Sequence, residues 1–184
     1  MSNVANKKNN IVWIDLEMTG LYPEVDEIIE AACLVTDKNL NIIAESPNLI
    51  LHQDASVFER MDDWNKKQHT KSGLWKEVVA SDLSVQQAEQ KILDFLKEIT
   101  EQGAYLAGNS IWQDRRFIRR YMPNLDKYLH YRMIDVTSIK IVSNHWHPKV
   151  TYRKKESHRA LDDIKESIEE LKHYKKEVFD TKEP

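Results

Sequence analysis

The spacing of apolar positions divides the chain into two parts. Ile11-Val12-Trp13-Ile14 is a short apolar run rich in β-branched residues, Ile28 to Val35 is a longer one, and Leu40 to Ala44 is a third. Runs of this kind predict strands. Asp37-Lys38-Asn39 predicts a hairpin turn between the second and third, and Pro47 to His52 extends the sheet by another short stretch. From Ser84 the period changes. Ser84 and Gln87 form a capping box, and Val85, Ala88, Ile92, Phe95, Leu96 and Ile99 follow at helical spacing. Tyr105-Leu106-Ala107 reads as a short buried strand ending at Gly108, with a helix from Gln113 to Tyr121 behind it. Met133-Ile134 with Val136 marks one more strand or a helix start. Leu161, Ile164, Ile168, Leu171 and Tyr174 make one stripe of a last helix. A three-strand meander followed by alternating helices and strands predicts an α/β fold with a mixed central sheet flanked by helices.

Only four glycines and five prolines occur in 184 residues, so no flexible linker divides the chain. A polar tail over 1–10 and a single domain over 11–180 are expected. No apolar run approaches the roughly 20 residues that cross a bilayer, and the first ten residues lack a secretory core. The single cysteine, Cys33, has apolar neighbours and no partner for an internal disulfide. Together these lead to the expectation of a cytoplasmic protein that is not in a membrane.

The 27 basic and 30 acidic residues leave a net charge of −3, which argues against a grip on long nucleic acid. A short nucleotide or a metal remains compatible. Two basic runs stand out, Arg115, Arg116, Arg119, Arg120 and Arg132, then Lys149, Arg153, Lys154, Lys155 and Arg159. Their plainest reading is a solvated face or loop.

Asp15 and Glu17 close the first strand, where residues two apart share a face at about 7 Å. A pair of acids aimed at one spot repels, unless the strand end has reached solvent or a divalent cation binds both. Asp114, opening a helical stretch after Gly108-Asn109-Ser110, and the Asp162-Asp163 pair extend the set. The edge where such strands end is where ligands of open α/β sheets collect. Asp162 and Asp163 also suit the positive end of a helix dipole. Helical phase puts Asp163 nearer the apolar stripe than Asp162, which makes it the candidate ligand. His158, five residues before Asp163, falls at that helix start. Alone such a histidine is an ordinary structural or exposed residue; beside converging acids its near-neutral titration suits a general base. No Cys/His zinc pattern, phosphate loop or nucleophile elbow is present.

Asp15-x-Glu17, Asp114 and His158-x-x-x-x-Asp163 resemble the Asp-Glu-Asp-Asp exonucleases with a catalytic histidine. Within that group, the blocks Ile14-Asp15-Leu16-Glu17-Met18-Thr19-Gly20-Leu21, Met61-Asp62-Asp63-Trp64-Asn65, Gly108-Asn109-Ser110-Ile111, Gln113-Asp114-Arg115-Arg116-Phe117, His130-Tyr131-Arg132 and His158-Arg159-Ala160-Leu161-Asp162-Asp163-Ile164 are similar to the oligoribonuclease family. They run in order from residue 14 to 164, nearly the whole chain. The resemblance implies an RNase H-like exonuclease fold, a homodimer, and 3′-to-5′ hydrolysis of RNAs of two to five nucleotides to mononucleotides. It implies two divalent cations, Mg²⁺ or Mn²⁺, held by Asp15, Glu17, Asp114 and Asp163, with His158 as the base.

By the same resemblance, Leu21 wedges between two bases, Trp64 and His69 flank the substrate, and Tyr131 reaches the partner subunit's site. Ser110 and Arg132 hold the 5′ phosphate of the shortest substrates. The family pattern has Ser-Thr after the strand aspartate where this chain has Thr137-Ser138 after Asp135, so the hydroxyl that meets phosphate stays open. Trp112 stands where the pattern has a small or variable residue. For Leu21 and Trp64 ordinary packing is the competing reading. Two other functions compete with the main one: an exonuclease of the same family that trims longer RNA or DNA ends, and a non-catalytic nucleotide-binding module.

Overall fold

The computed structural model describes residues 7–153 and 159–180. The spine of the fold is an antiparallel pair, β1 (Ile11–Met18) with β2 (Ile28–Thr36), in continuous register from Ile11↔Thr36 to Glu17↔Glu30 and a bulge at Glu17/Met18. β3 (Ile42–Glu45) and the two-residue β4 (Leu49–Ile50) pair antiparallel with β2. On its other side β1 pairs in parallel with β5 (Leu106–Gly108), and β5 with β6 (Met133–Asp135). The sheet order β3-β2-β1-β5-β6, with β4 also on β2, is the mixed sheet that the patterning predicts.

Strand parity decides which helix each β1 side chain meets. Val12, Ile14 and Leu16 point into a core completed by α4 (Val85–Ile99), α5 (Trp112–Tyr121) and α6 (Pro123–Tyr128), through Ala88, Ile92, Leu96, Phe117, Ile118 and Leu125. Trp13 points the other way, into a core with Val136 of α7 (Val136–Trp146) and Ala160, Ile164, Ile168 and Leu171 of α8 (Ala160–Tyr174). Buried Trp13 donates its indole N–H to Thr36 Oγ1 at 3.0 Å. Asp15 and Glu17 share the parity of Trp13. They therefore lie on the α8 side of the sheet, where its apolar core gives out.

Two local expectations change. The third strand begins at Ile42 rather than Leu40. Asp37 Oδ1 accepts the N–H groups of both Asn39 and Asn41 and stretches the turn, and Leu40 lies inside it at φ +69° with its side chain buried. The stretch between the fourth strand and Ser84 holds three short helices, α1 (Ala55–Arg60), α2 (Asp63–Lys71) and α3 (Leu74–Ala80). Their buried faces are thin, Val57 in the first, Asn65 and His69 in the second, and Leu74 and Val78 in the third. No apolar stripe long enough to read as a helix is left in the sequence. α6 and α7 were likewise unmarked or half-marked by pattern. Cys33 is fully buried, and burial pushes its thiol well above the usual range.

Ile168 is fully buried between α8 and the sheet. Ile168→Ala should lower unfolding free energy by about 3 kcal/mol, through lost burial plus a residual cavity. Exposed Asp162→Asn should stay within about 0.5 kcal/mol. Urea denaturation followed by circular dichroism measures both.

Candidate active site

Asp15 and Glu17 of β1 and Asp163 in the first turn of α8 converge: one carboxylate oxygen from each lies within 4.8 Å of the others. Asp162, one position away, is exposed, while Asp163 is half-buried. The difference follows from helical phase, because Ala160 and Ile164 are anchored in the core and turn Asp163 toward the sheet.

The fourth acid arrives from the opposite face. Gly108 ends β5, and a Cβ there would stand 2.9 Å from Ile111 Cδ1 and 3.3 Å from the Ile14 carbonyl, so only glycine lets the chain turn this tightly against β1. The Val12 N–H still reaches the Tyr105 carbonyl across the β1–β5 pair at 3.0 Å. Further along, where β5 no longer follows, the Leu16 N–H donates to Asp114 Oδ1 at 3.0 Å. Asp114 thus takes the place of a missing strand, and its carboxylate is held beside the backbone between Asp15 and Glu17.

Electrostatics here is dominated by desolvation. Burial pushes the Glu17 carboxyl up to about 8, reinforced by Glu30, Asp163 and Asp114 and partly offset by Arg159. Burial also raises Asp114, the Leu16 N–H opposing it and Asp135 adding to it. Oxygen-only donors gathered in an acidic cluster suit a hard divalent cation.

Glu30 was not singled out from sequence. It is fully buried on β2 opposite Glu17. Arg159 Nε donates to it at 3.0 Å, the Asn48 amide also donates to it, and the same guanidinium bridges to both carboxylate oxygens of Glu77 on α3 at 3.2 Å. The Arg159 carbonyl accepts the Asp163 N–H at 3.0 Å. The half-buried Arg159, paired with buried Glu30, therefore pins the start of α8. The available signal was one acid inside an otherwise apolar run, Ile28-Ile29-Glu30-Ala31-Ala32-Cys33.

The other candidates differ in exposure and in their contacts. Leu21, in the loop after β1, is 62% exposed, and Trp64 on α2 is 60% exposed. His69 is buried, its Nε2 donating to the Met18 carbonyl at 3.0 Å, so its ring is packed behind the loop and not open to solvent. Ser110 adopts φ +49°; its N–H donates to Asp135 Oδ1 and Thr137 Oγ1, and its hydroxyl lies 3.2 Å from that of Thr137. Ser138 instead lines an apolar cleft with Val142, Trp146 and Phe179. Tyr131 is 71% exposed, stacks on His130 at 4.5 Å and carries the Arg132 guanidinium over its ring at 5.1 Å. His158 lies outside the described residues, as do Lys154 and Lys155 of the second basic run.

The first basic run is not simply a solvated face. Arg115 pairs with Asp126 at 2.6 Å and reaches the His130 carbonyl at 3.0 Å, and Arg116 reaches the Leu21 carbonyl at 3.2 Å. Trp112 is exposed beneath the Arg116 guanidinium.

A mixed sheet with an acidic, cation-suited cluster at the open end of its first strand defines a nuclease of the α/β exonuclease class. The RNase_T exonuclease family model matches residues 12–171. An oligoribonuclease of Shewanella loihica is 51% identical over 179 residues, covering 96% of this chain and 99% of that protein. One from Francisella tularensis subsp. holarctica is 49% identical over 172 residues, covering 93% and 97%. The chain belongs to the oligoribonuclease family of exonucleases. Among solved structures, the metal-free form of the E. coli exonuclease I–single-stranded DNA complex aligns with a TM-score of 0.71 at 14% identity over 92% of this chain. This chain spans 40% of the length of that enzyme, and the likeness is one of fold. Among the described residues no helix is long and apolar enough to cross a membrane.

The raised Glu17 carboxyl makes a signed prediction. The folded chain retains that proton up to about pH 8, whereas an unfolded glutamate releases it near 4.5. The folded state's advantage from this group is complete below the lower value and lost as pH rises through the upper one. With EDTA present, the melting temperature should fall from about pH 5 to pH 8, and Glu17→Gln should flatten the fall. Added Mn²⁺ should raise the midpoint more at the higher pH, where the acids are ionised. Equal slopes for parent and variant in calorimetry would contradict this assignment.

Proposed function

We propose that this chain is a 3′-to-5′ exoribonuclease that degrades very short RNAs, dinucleotides above all, to nucleoside 5′-monophosphates. The observation that carries the reading is the meeting of Asp15, Glu17 and Asp163, with Asp114 bonded to the same strand, in a chain about half identical to oligoribonucleases along almost their whole length.

In this reading Asp15, Glu17, Asp114 and Asp163 hold two divalent cations, Mg²⁺ or Mn²⁺. Bound there, such ions supply the positive charge that activates an attacking water and stabilises the leaving 3′ oxygen. The imidazole of His158, one residue before the Arg159 anchor of α8, takes the proton from that water. Exposed Leu21 wedges between the two bases, and Trp64 and His69 flank the substrate. Ser110 and Arg132 bind the 5′ phosphate. Thr137 is favoured over Ser138 as the accompanying hydroxyl, because Thr137 is the one beside Ser110.

The reading includes a cytoplasmic homodimer in which Tyr131 enters the partner's site. Exposed Ile141, Val142 and Trp146 on α7, together with Phe179, support association, since clustered apolar side chains mark contact surfaces.

Labelled RNAs of two, seven and twenty nucleotides, with and without EDTA, test the function. Strong preference for the dinucleotide, abolished by EDTA, is expected. Preference for the longest RNA would favour end-trimming, and no cleavage a binding module. Asp163→Asn should remove nearly all turnover at almost unchanged volume, and Asp162→Asn should be far milder. His158→Ala should slow turnover by roughly 10²–10⁴-fold.

A mixed dimer tests the trans tyrosine. One tagged chain carries Asp163→Ala and the other Tyr131→Ala. If Tyr131 acts across a two-fold interface, one site has both defects and the other neither, so activity returns to about half. A mixed dimer as inactive as either variant alone would reject the trans arrangement.

A further inference from the structure

α5 is bonded to the loop that carries Leu21 at several points. Gln113, nine-tenths buried on its first turn, donates from Nε2 to the Leu21 carbonyl at 2.6 Å. Its Oε1 accepts from Arg116 Nη1 at 3.0 Å, and that same nitrogen lies 3.2 Å from the Leu21 carbonyl. Both ends of the Gln113 amide are therefore used. At the other end of α5, the Tyr121 hydroxyl lies 2.7 Å from the Asp26 carbonyl and 3.1 Å from that of Pro23.

The loop is also built around one internal group. The Asp26 carboxylate accepts from the Tyr22 N–H at 2.8 Å and the Thr19 hydroxyl at 3.2 Å. A Cβ on Gly20 would come within 2.4 Å of the Asp26 carboxylate, so glycine is what lets the loop close over it. The Leu21 side chain projects into solvent from a backbone with little freedom.

Gln113 and Asp114 are consecutive. The first bonds the Leu21 carbonyl, and the second bonds the Leu16 N–H beside the carboxylate cluster. One turn of a helix, anchored in the core by Phe117 and Ile118, thus spans from the wedge to the acids. A dinucleotide has a single phosphodiester, so the distance between the group that parts its bases and the groups that act on its phosphate must match one nucleotide step. Misplacement by about 1 Å is costly in such a fit.

We propose that Gln113 is a positioning residue for substrate length, with α5 acting as a ruler between Leu21 and the catalytic acids. This rests on the reading of Leu21 as the wedge. Gln113 touches neither substrate nor metal; it acts through the Leu21 backbone.

The test compares a dinucleotide with the p-nitrophenyl ester of thymidine 5′-monophosphate, which has one base and nothing to wedge. Gln113→Met keeps side-chain length and loses the donor. Its KM for the dinucleotide should rise about fivefold or more, with kcat and hydrolysis of the ester within about twofold. Tyr121→Phe, which loosens the loop from its other end, should shift the dinucleotide KM in the same direction. Circular dichroism and melting temperature verify that each variant is folded. In a Leu21→Ala background, Gln113→Met should add nothing, because the two act on one element.

Equal loss of kcat on both substrates would overturn the proposal, since Gln113 would then be acting through Asp114. An undiminished Gln113→Met effect in the Leu21→Ala background would overturn it as well. Impaired Leu21→Ala with parent-like Gln113→Met rejects the ruler and leaves the wedge standing. Leu21→Ala with the parent KM rejects the wedge, and the ruler with it.

Discussion

The repulsion among Asp15, Glu17 and Asp163 is the constraint from which the rest of this structure follows. Their oxygens lie within 4.8 Å of one another, and the buried Glu30 and the Asp114 carboxylate add to the same field. Left to themselves, such groups would separate or protonate, and burial, reinforced by these neighbouring acids, pushes the Glu17 carboxyl up to about 8. The backbone keeps them together. β1 is clamped between β2 and β5, and α8 is fixed by Ala160, Ile164 and Ile168 in an apolar core. Hydrophobic burial along the strand and helix opposes a local charge penalty at their ends, and that penalty is what makes the cluster receptive to cations.

Two devices limit the penalty without removing it. Arg159 satisfies Glu30 and Glu77 together, placing one half-buried positive charge beside the cluster. The Leu16 N–H gives Asp114 a hydrogen bond that favours its ionised form. The positions of Glu30 and Asp114 are thereby fixed by neighbours with no part in the chemistry.

The large side chains proposed to meet bases, Leu21 and Trp64, are exposed. Exposure of two bulky apolar or aromatic groups costs hydrophobic stabilisation and needs a counterpart. Bases offer flat apolar faces that suit both. Gln113, Arg116 and Tyr121 bond the backbone of the Leu21 loop, so exposure of that side chain does not mean freedom of its position.

Much of this was legible in one dimension because the physics involved is local. A strand's period of two put Asp15 and Glu17 on one face, a helix's 100° step separated Asp163 from Asp162, and Ser84 with Gln87 wrote its own helix start. The blocks around these residues also carried the family resemblance. What the sequence did not disclose depends on contacts between segments far apart. α1 to α3 bury too few apolar residues to leave a stripe, and they are stable only against the rest of the fold. The basic run at Arg115 and Arg116 reads as surface charge until Asp126 and the Leu21 carbonyl are brought beside it. Nothing in the pattern around His69 marks the bond from its Nε2 to the Met18 carbonyl. Residue types and their spacing thus determined which chemistry the chain carries. Only the tertiary structure decided which polar groups meet one another, because a hydrogen bond between residues some 90 positions apart, such as Gln113 to Leu21, has no period and leaves no pattern in either segment.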